Sequence, residues 1–190
     1  MIAKKKAVLP LAQSGAAHAE ASNFDAAIAD YDKALAQAPK FVEVWMARGN
    51  AYASKGDDGR ALDDYARVIK LDPKHAEALF RRGLIFRDKG LLEPAIADFS
   101  RVLKLGDNPD VRHTRGTTYL SHGDARKAVA DFTAVLKVAP DAPAVLLKRA
   151  EAYDKMGEPA KAAADRQAAT QAQARTSQSP QAPIQQPPSA

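Results

Sequence analysis

Four arginines stand directly before a glycine or an alanine, and they recur at nearly constant intervals. They are Arg48, Arg82, Arg115 and Arg149, separated by 34, 33 and 34 residues. A guanidinium group is planar and always charged, so it pairs with carboxylates or phosphates. Four copies of the same arrangement argue against catalysis, because a reaction centre needs one singular constellation. The recurrence therefore predicts ion pairs within the fold.

An aspartate recurs with the same period and offers each arginine a partner. These aspartates are Asp30, Asp64, Asp98, Asp131 and Asp165. Asp64 stands sixteen residues after Arg48, and Asp30 stands eighteen residues before it. Because a partly buried charge needs a partner, we predict a ladder of Arg–Asp pairs, either within a repeat or between neighbours. Pairing between neighbours is favoured, since Ser14 replaces the arginine in the repeat that has no predecessor.

The other reactive residue types form no catalytic or metal-binding pattern. The four histidines lack the H-E-x-x-H spacing, and the segment GDDG at 56–59 lacks the ligand spacing of a calcium loop. The sequence has no cysteine, P-loop, G-x-S-x-G or G-x-G-x-x-G motif. We therefore expect no enzymatic activity, no metal ion and no cofactor.

Composition limits the class of partner and the location. The formal net charge is +5, and three of those charges come from the lysines at 4–6, which argues against nucleic acid as the main partner. No stretch of 18 apolar residues could span a membrane. The first 19 residues outline a weak secretory signal, with a short apolar run broken by proline. A cytoplasmic location is expected, with export to the periplasm as the alternative.

The elements that carry these residues repeat with the same period. A small residue recurs at Gly15, Gly49, Gly83, Gly116 and Ala150, and a second-helix position recurs at Tyr31, Tyr65, Phe99, Phe132 and Arg166. Each repeat contains two helical segments around a polar turn rich in glycine and aspartate. The small residue lets the two helices approach closely, and the large residues interlock around that contact.

A helix–turn–helix unit of 34 residues resembles the tetratricopeptide repeat, whose pattern is W-x2-L-G-x2-Y, then A-x3-F, then P. The second repeat supplies Trp45, Gly49, Tyr52, Ala61, Tyr65 and Pro73. The resemblance covers residues 8–175 as five repeats, at 8–41, 42–75, 76–108, 109–142 and 143–175. It implies an all-α fold, a right-handed superhelical solenoid of antiparallel helix pairs. Residues 1–7 are expected to be a basic N-terminal segment, and the Pro/Gln/Ser-rich residues 176–190 a disordered tail.

The resemblance also implies that the chain is a scaffold or adaptor, of bacterial type, that binds a protein or peptide in a concave groove lined by the first helices. The groove positions of the family correspond to Met46, Asn50, Phe80, Arg81, Leu84, Arg87, His113, Thr117, Leu147 and Lys148. Phe80 is either an exposed anchor for the partner or a residue that packs on a neighbouring first helix.

The sequence is less consistent with three other interpretations. No window of three repeats carries the Lys, Asn and Arg set that grips the carboxylate of chaperone tails, so no Hsp70 or Hsp90 clamp is expected. A self-assembling structural protein is the main alternative, although the polar last helix argues against long stacks. RNA binding is disfavoured by acidic residues such as Glu43 and Glu77 among the groove positions. The oligomeric state is left open.

Overall fold

The computed structural model describes residues 2–178, and these residues form ten α-helices and no strand. The predicted all-α fold class is confirmed. The helices are α1 (Ile2–Glu20), α2 (Phe24–Gln37), α3 (Val42–Ser54), α4 (Asp58–Leu71), α5 (Ala76–Asp88), α6 (Leu92–Leu105), α7 (Pro109–His122), α8 (Ala125–Val138), α9 (Pro143–Lys155) and α10 (Pro159–Gln178). Odd-numbered helices are the first helices of the repeats, and even-numbered helices are the second helices.

The described residues divide into two compact units: unit 1 ends at residue 111, and unit 2 begins at residue 112. Within unit 1, α1 packs on α2, α3 on α4 and α5 on α6, and each pair also contacts the next. Its core contains the fully buried Val44, Tyr65, Leu79 and Phe99. Within unit 2, α8 contacts α9 and α9 contacts α10, around a core that contains Phe132. Both cores are built where first and second helices of the repeats meet.

The turns inside the repeats share one left-handed residue. Glycine takes this conformation in four of them, at Gly56, Gly90, Gly123 and Gly157, with φ between 72° and 94°. The first turn has Ser22 instead, at φ 58°. Glycine avoids the Cβ clash that this region imposes on other residues, so the turn at Ser22 is strained relative to the other four.

The two ends of the helical array lie in α1 and α10. Helix α1 begins at Ile2, so it includes most of the basic segment predicted at residues 1–7. Helix α10 continues to Gln178, so residues 176–178 are not a disordered tail; the alanines and glutamines of 167–174 are residues that allow a helix to propagate. The remainder of the predicted tail, 179–190, lies outside the described residues. Within residues 2–178, no helix combines the length and the apolar character needed to cross a membrane.

Candidate functional site

In three of the four repeats that carry an arginine, the glycine beside it marks the point where the two helices of the repeat touch. A Cβ atom added at Gly49 would lie 2.9 Å from Cε1 of Tyr65, and one added at Gly83 would lie 2.7 Å from Cε1 of Phe99. Both distances are shorter than carbon atoms tolerate without displacement. The glycines therefore hold an aromatic ring against the backbone of the first helix.

The fifth repeat changes both members of this contact together. Ala150 stands where the other repeats have glycine, and Arg166 stands where they have an aromatic ring. Arg166 is exposed and its guanidinium contacts Asp154. Because no ring lies over position 150, its methyl group meets no obstacle of that kind.

Each arginine turns toward the buried aspartate of its own repeat. Arg48 donates from Nε and Nη2 to the two carboxylate oxygens of Asp64, at 2.8 and 2.7 Å. The same two-bond geometry recurs in Arg82–Asp98, Arg115–Asp131 and Arg149–Asp165, with distances of 2.7–2.9 Å. We call these four pairs the rungs. Each aspartate is buried, with 3–6% of its surface exposed.

The pairing between neighbouring repeats that the sequence favoured is wrong for Arg48 and Asp30. Ser14 donates its hydroxyl to Asp30 at 2.7 Å, and Lys33 adds a contact at 3.1 Å. These hydrogen bonds, that of Ser14 first, hold the pKa of Asp30 below its ordinary value. The first repeat thus replaces the arginine by a hydroxyl and a lysine, and its aspartate is satisfied within its own repeat.

The third guanidinium nitrogen connects a rung to the preceding repeat. Nη1 of Arg48 donates to Asp32 at 2.5 Å, and Nη1 of Arg149 donates to Thr133 at 3.1 Å. Both acceptors stand sixteen residues before their arginine, on the preceding second helix. These arginines therefore tie three helices together, α2, α3 and α4 in unit 1 and α8, α9 and α10 in unit 2.

Burial and charge act in opposite directions on Asp64 in the rung of Arg48, and burial has the larger effect. Burial raises the pKa of Asp64, while the hydrogen bonds from Arg48 act in the opposite direction. The hydrogen bond to Asp64 raises the pKa of Arg48 above its ordinary value. A desolvated ion pair with both hydrogen bonds made is costly to break on one side only, so the rungs are structural elements.

An aromatic ring supports each guanidinium, which the sequence reading missed. Arg48 lies 4.7 Å from the ring centroid of Trp45 and 5.7 Å from that of Tyr52. The other three arginines lie 5.6–5.8 Å from an aromatic ring four residues further along their helix. The spacing R-x-x-x-[YF] in the last four repeats is the signal in the sequence, since residues four apart share a helix face.

The proposed groove residues of α3 are less accessible than expected. Met46 is buried in the core of unit 1, with 6% of its surface exposed, so its assignment to a binding surface is wrong. Asn50 is half-buried, and its Oδ1 accepts a hydrogen bond from the hydroxyl of Tyr65 at 2.8 Å. The donor side of the Asn50 amide is not used in that bond.

Helix α5 presents the other groove residues of unit 1. Phe80 is half-buried, and its ring lies 5.7 Å from that of Phe99 at an angle of 52°. Phe99 belongs to the second helix of the same repeat, so the ring of Phe80 packs within its own repeat. Leu84 is half-buried against the same core. Arg81 is exposed and pairs with Glu77 at 2.9 Å.

One more arginine of α5 and four residues of unit 2 complete the set. Arg87 pairs with the adjacent Asp88. In unit 2, the ring of His113 lies 5.8 Å from that of Phe132, and Thr117 donates its hydroxyl to the carbonyl oxygen of His113 at 2.9 Å. Leu147 is 45% exposed, and Lys148 pairs with Glu151 at 3.0 Å.

The family model and the solved structures that match this chain are those of helical-repeat proteins. A family model described as "Tetratricopeptide repeat" matches residues 14–73, 59–109 and 113–180. A comparison with curated proteins gave no match. A crystal structure of MamA protein shares 22% identity at a TM-score of 0.86, covering 93% of this chain and 97% of that one. YrrB, described as a TPR protein with an unusual peptide-binding site, shares 18% identity at a TM-score of 0.80, covering 88% and 87%. PilF of Pseudomonas aeruginosa shares 19% at a TM-score of 0.69, covering 90% and 78%.

Proposed function

The chain belongs to the tetratricopeptide repeat family, and we propose that it is a non-enzymatic scaffold that binds a protein or peptide partner on its first helices. The observation that carries the proposal is the mixed surface of α5, where Phe80 and Leu84 are partly exposed beside the exposed Arg81. The peptide-binding site named for YrrB, a protein of the same fold, supports this direction.

The three residues of α5 form a surface suited to a partner side chain. Phe80 and Leu84 are four residues apart, so they share one face of the helix, and Arg81 borders that face. Because Phe99 holds one side of the Phe80 ring, the ring is positioned before a partner arrives. Ordering a side chain in advance lowers the entropic cost of binding. The surface therefore favours a partner segment with an apolar side chain next to an acidic one.

The rungs supply no general base for a reaction. A carboxylate that accepts two hydrogen bonds from a guanidinium has its charge and both oxygens engaged. Asp64, Asp98, Asp131 and Asp165 are all held in this way. This supports a binding role over a catalytic one.

The proposal is tested with peptides selected on the wild-type protein by display. We expect the double variant Phe80→Ala, Arg81→Glu to weaken the selected peptides by at least about tenfold, the equivalent of ~1.4 kcal/mol. The single variant Arg81→Glu separates the charge from the packing of Phe80, because Arg81 is exposed. Equal affinity of wild type and double variant would remove α5 as the binding surface.

The matched control is Lys70→Glu, which reverses one exposed charge on the second helix α4. We expect this variant to bind the selected peptides as wild type does. Circular dichroism melting of every variant shows whether a loss of binding follows from a loss of folding. Weakening by Lys70→Glu as large as that of Arg81→Glu would show that net charge, and not position on α5, controls affinity.

A further inference from the structure

The rung of Arg82 differs from those of Arg48 and Arg149 at one atom. Nε and Nη2 of Arg82 bind Asp98 at 2.8 and 2.9 Å. Within the described residues, Nη1 of Arg82 has no hydrogen-bond acceptor. Sixteen residues before Arg48 and Arg149 stand Asp32 and Thr133, whose oxygens fill this position. Sixteen residues before Arg82 stands an alanine, residue 66, whose methyl group accepts nothing.

The charge around Arg82 is also the reverse of that around Arg48. Arg48 has two carboxylates, those of Asp32 and Asp64. At Arg82 the single carboxylate of Asp98 is shared by two cations, because Arg101 approaches it at 3.7 Å. One arginine with two aspartates leaves a formal charge of −1, whereas two arginines with one aspartate leave +1. An anion is therefore attracted to the group around Arg82 and repelled from the group around Arg48.

Solvent reaches both residues that define the unfilled position. The side chain of Arg82 is 20% exposed, and Ala66 on α4 is exposed. Where the equivalent acceptor exists, at Asp32, its side chain is 52% exposed. An acceptor in this place thus sits at the surface, so a group from outside the chain can approach it without unfolding a helix.

We propose that Arg82 is a docking point for a carboxylate, supplied by an aspartate or glutamate side chain of a protein partner. The carboxylate takes the place that Asp32 takes on Arg48, and accepts a hydrogen bond from Nη1. Charge-assisted hydrogen bonds of this kind are stronger than neutral ones. The docking point goes beyond the α5 surface of Phe80, since two residues along a helix correspond to a rotation of about 200°. Either surface can fail without the other.

The test uses the exposed Ala66 as a switch, because Ala66→Asp supplies the missing carboxylate from within the chain. The probe is a blocked hexaglutamate peptide, titrated at low salt while the side-chain nitrogen resonances of Arg82 are followed by NMR. Blocked hexaglutamine is the neutral counterpart. Ala130→Asp, on the exposed side of α8 in unit 2, introduces the same charge elsewhere.

We expect hexaglutamate to shift the Arg82 resonances with saturation, and hexaglutamine to leave them unmoved. Ala66→Asp should weaken the hexaglutamate effect about tenfold, as the loss of a charge-assisted hydrogen bond does, and should raise the melting temperature. Ala130→Asp should change the effect less than about twofold, by long-range charge alone.

Four outcomes would overturn the proposal. The Arg82 resonances could stay unmoved by hexaglutamate, or could move equally in wild type and Ala66→Asp. A phosphoserine peptide of the same length could bind where hexaglutamate does not, which would assign the position to phosphate. Equal weakening by Ala66→Asp and Ala130→Asp would show a diffuse charge effect rather than a docking point.

Discussion

Replacing Asp98 with alanine is expected to destabilise unit 1 by about 3 kcal/mol. The carboxylate is 3% exposed and accepts hydrogen bonds from Arg82 at 2.8 and 2.9 Å. Removing one partner of a buried pair leaves an uncompensated charge, at a cost of about 3–5 kcal/mol. The lower end applies here, because the Arg82 side chain is 20% exposed and water partly replaces the lost oxygens.

The measurement is urea denaturation followed by tryptophan fluorescence. The chain has a single tryptophan, Trp45, and it lies in α3 of unit 1, the unit that contains Asp98. With a dependence of about 2 kcal/mol per M urea for a domain of this size, the midpoint should fall by about 1.5 M. The control Asp88→Ala removes an exposed partner of Arg87 and should cost at most about 1 kcal/mol.

A midpoint of Asp98→Ala equal to that of wild type would refute the reasoning. The double variant Arg82→Met, Asp98→Leu gives a second test, since it removes both charges and restores apolar packing. Such replacements are often neutral, so the double variant should be more stable than Asp98→Ala alone. If it unfolds at lower urea than the single variant, the loss comes from the shape of the site rather than from an unpaired charge.

Three further changes test the turn, the helix contact and a buried hydroxyl. Ser22→Gly should stabilise the protein by about 0.5–1 kcal/mol in thermal melts, because residue 22 has a left-handed backbone with φ 58° that glycine adopts without strain. A lower melting temperature would show that the backbone at Ser22 is not strained. Gly116→Ala should cost about 1–3 kcal/mol, since its Cβ would lie 2.8 Å from Phe132, whereas Gly59→Ala, with nothing nearer than 3.7 Å, should be neutral or stabilising. Burial raises the pKa of Tyr65 to about 12 from an ordinary 10. The stabilisation that comes from keeping the Tyr65 hydroxyl protonated is therefore complete below pH 10 and is lost as the pH rises to 12. Between pH 10 and 11, the free energy of unfolding measured in urea should therefore fall by about 1 kcal/mol less in Tyr65→Phe than in wild type. An equal fall in both proteins would exclude Tyr65 as the cause of the pH dependence.

The repeat pattern predicted the helix pairs well because it is encoded locally and five times over. A glycine at a fixed distance from an aromatic residue is informative, since both residues serve one contact. The structure shows that contact directly, with the ring of Tyr65 above Gly49. The last helix was the weaker prediction, because its polar composition resembled the beginning of the tail, while alanine allowed the helix to continue to Gln178.

The candidate site was predicted only in part. The periodic positions identified α5 as a surface, and Arg81 is exposed there. Met46 was assigned to the same surface by its repeat position, but it is buried. A position in a repeat gives the direction of a side chain on its own helix. It does not say how closely the neighbouring helices cover that direction, and this depends on side chains distant in sequence.

The sequence by itself determined that each arginine has an aspartate partner and that the repeats are pairs of helices. Only the tertiary structure decided that the partner of Arg48 is Asp64 and not Asp30. Both aspartates recur with the same period, so spacing alone allows either. The choice depends on where the second helix of each repeat places its carboxylate, and on whether Ser14 already occupies Asp30. The structure also shows that the residue sixteen positions before Arg48 and Arg149 binds Nη1 of that arginine, which gives a meaning to the alanine at the corresponding position 66.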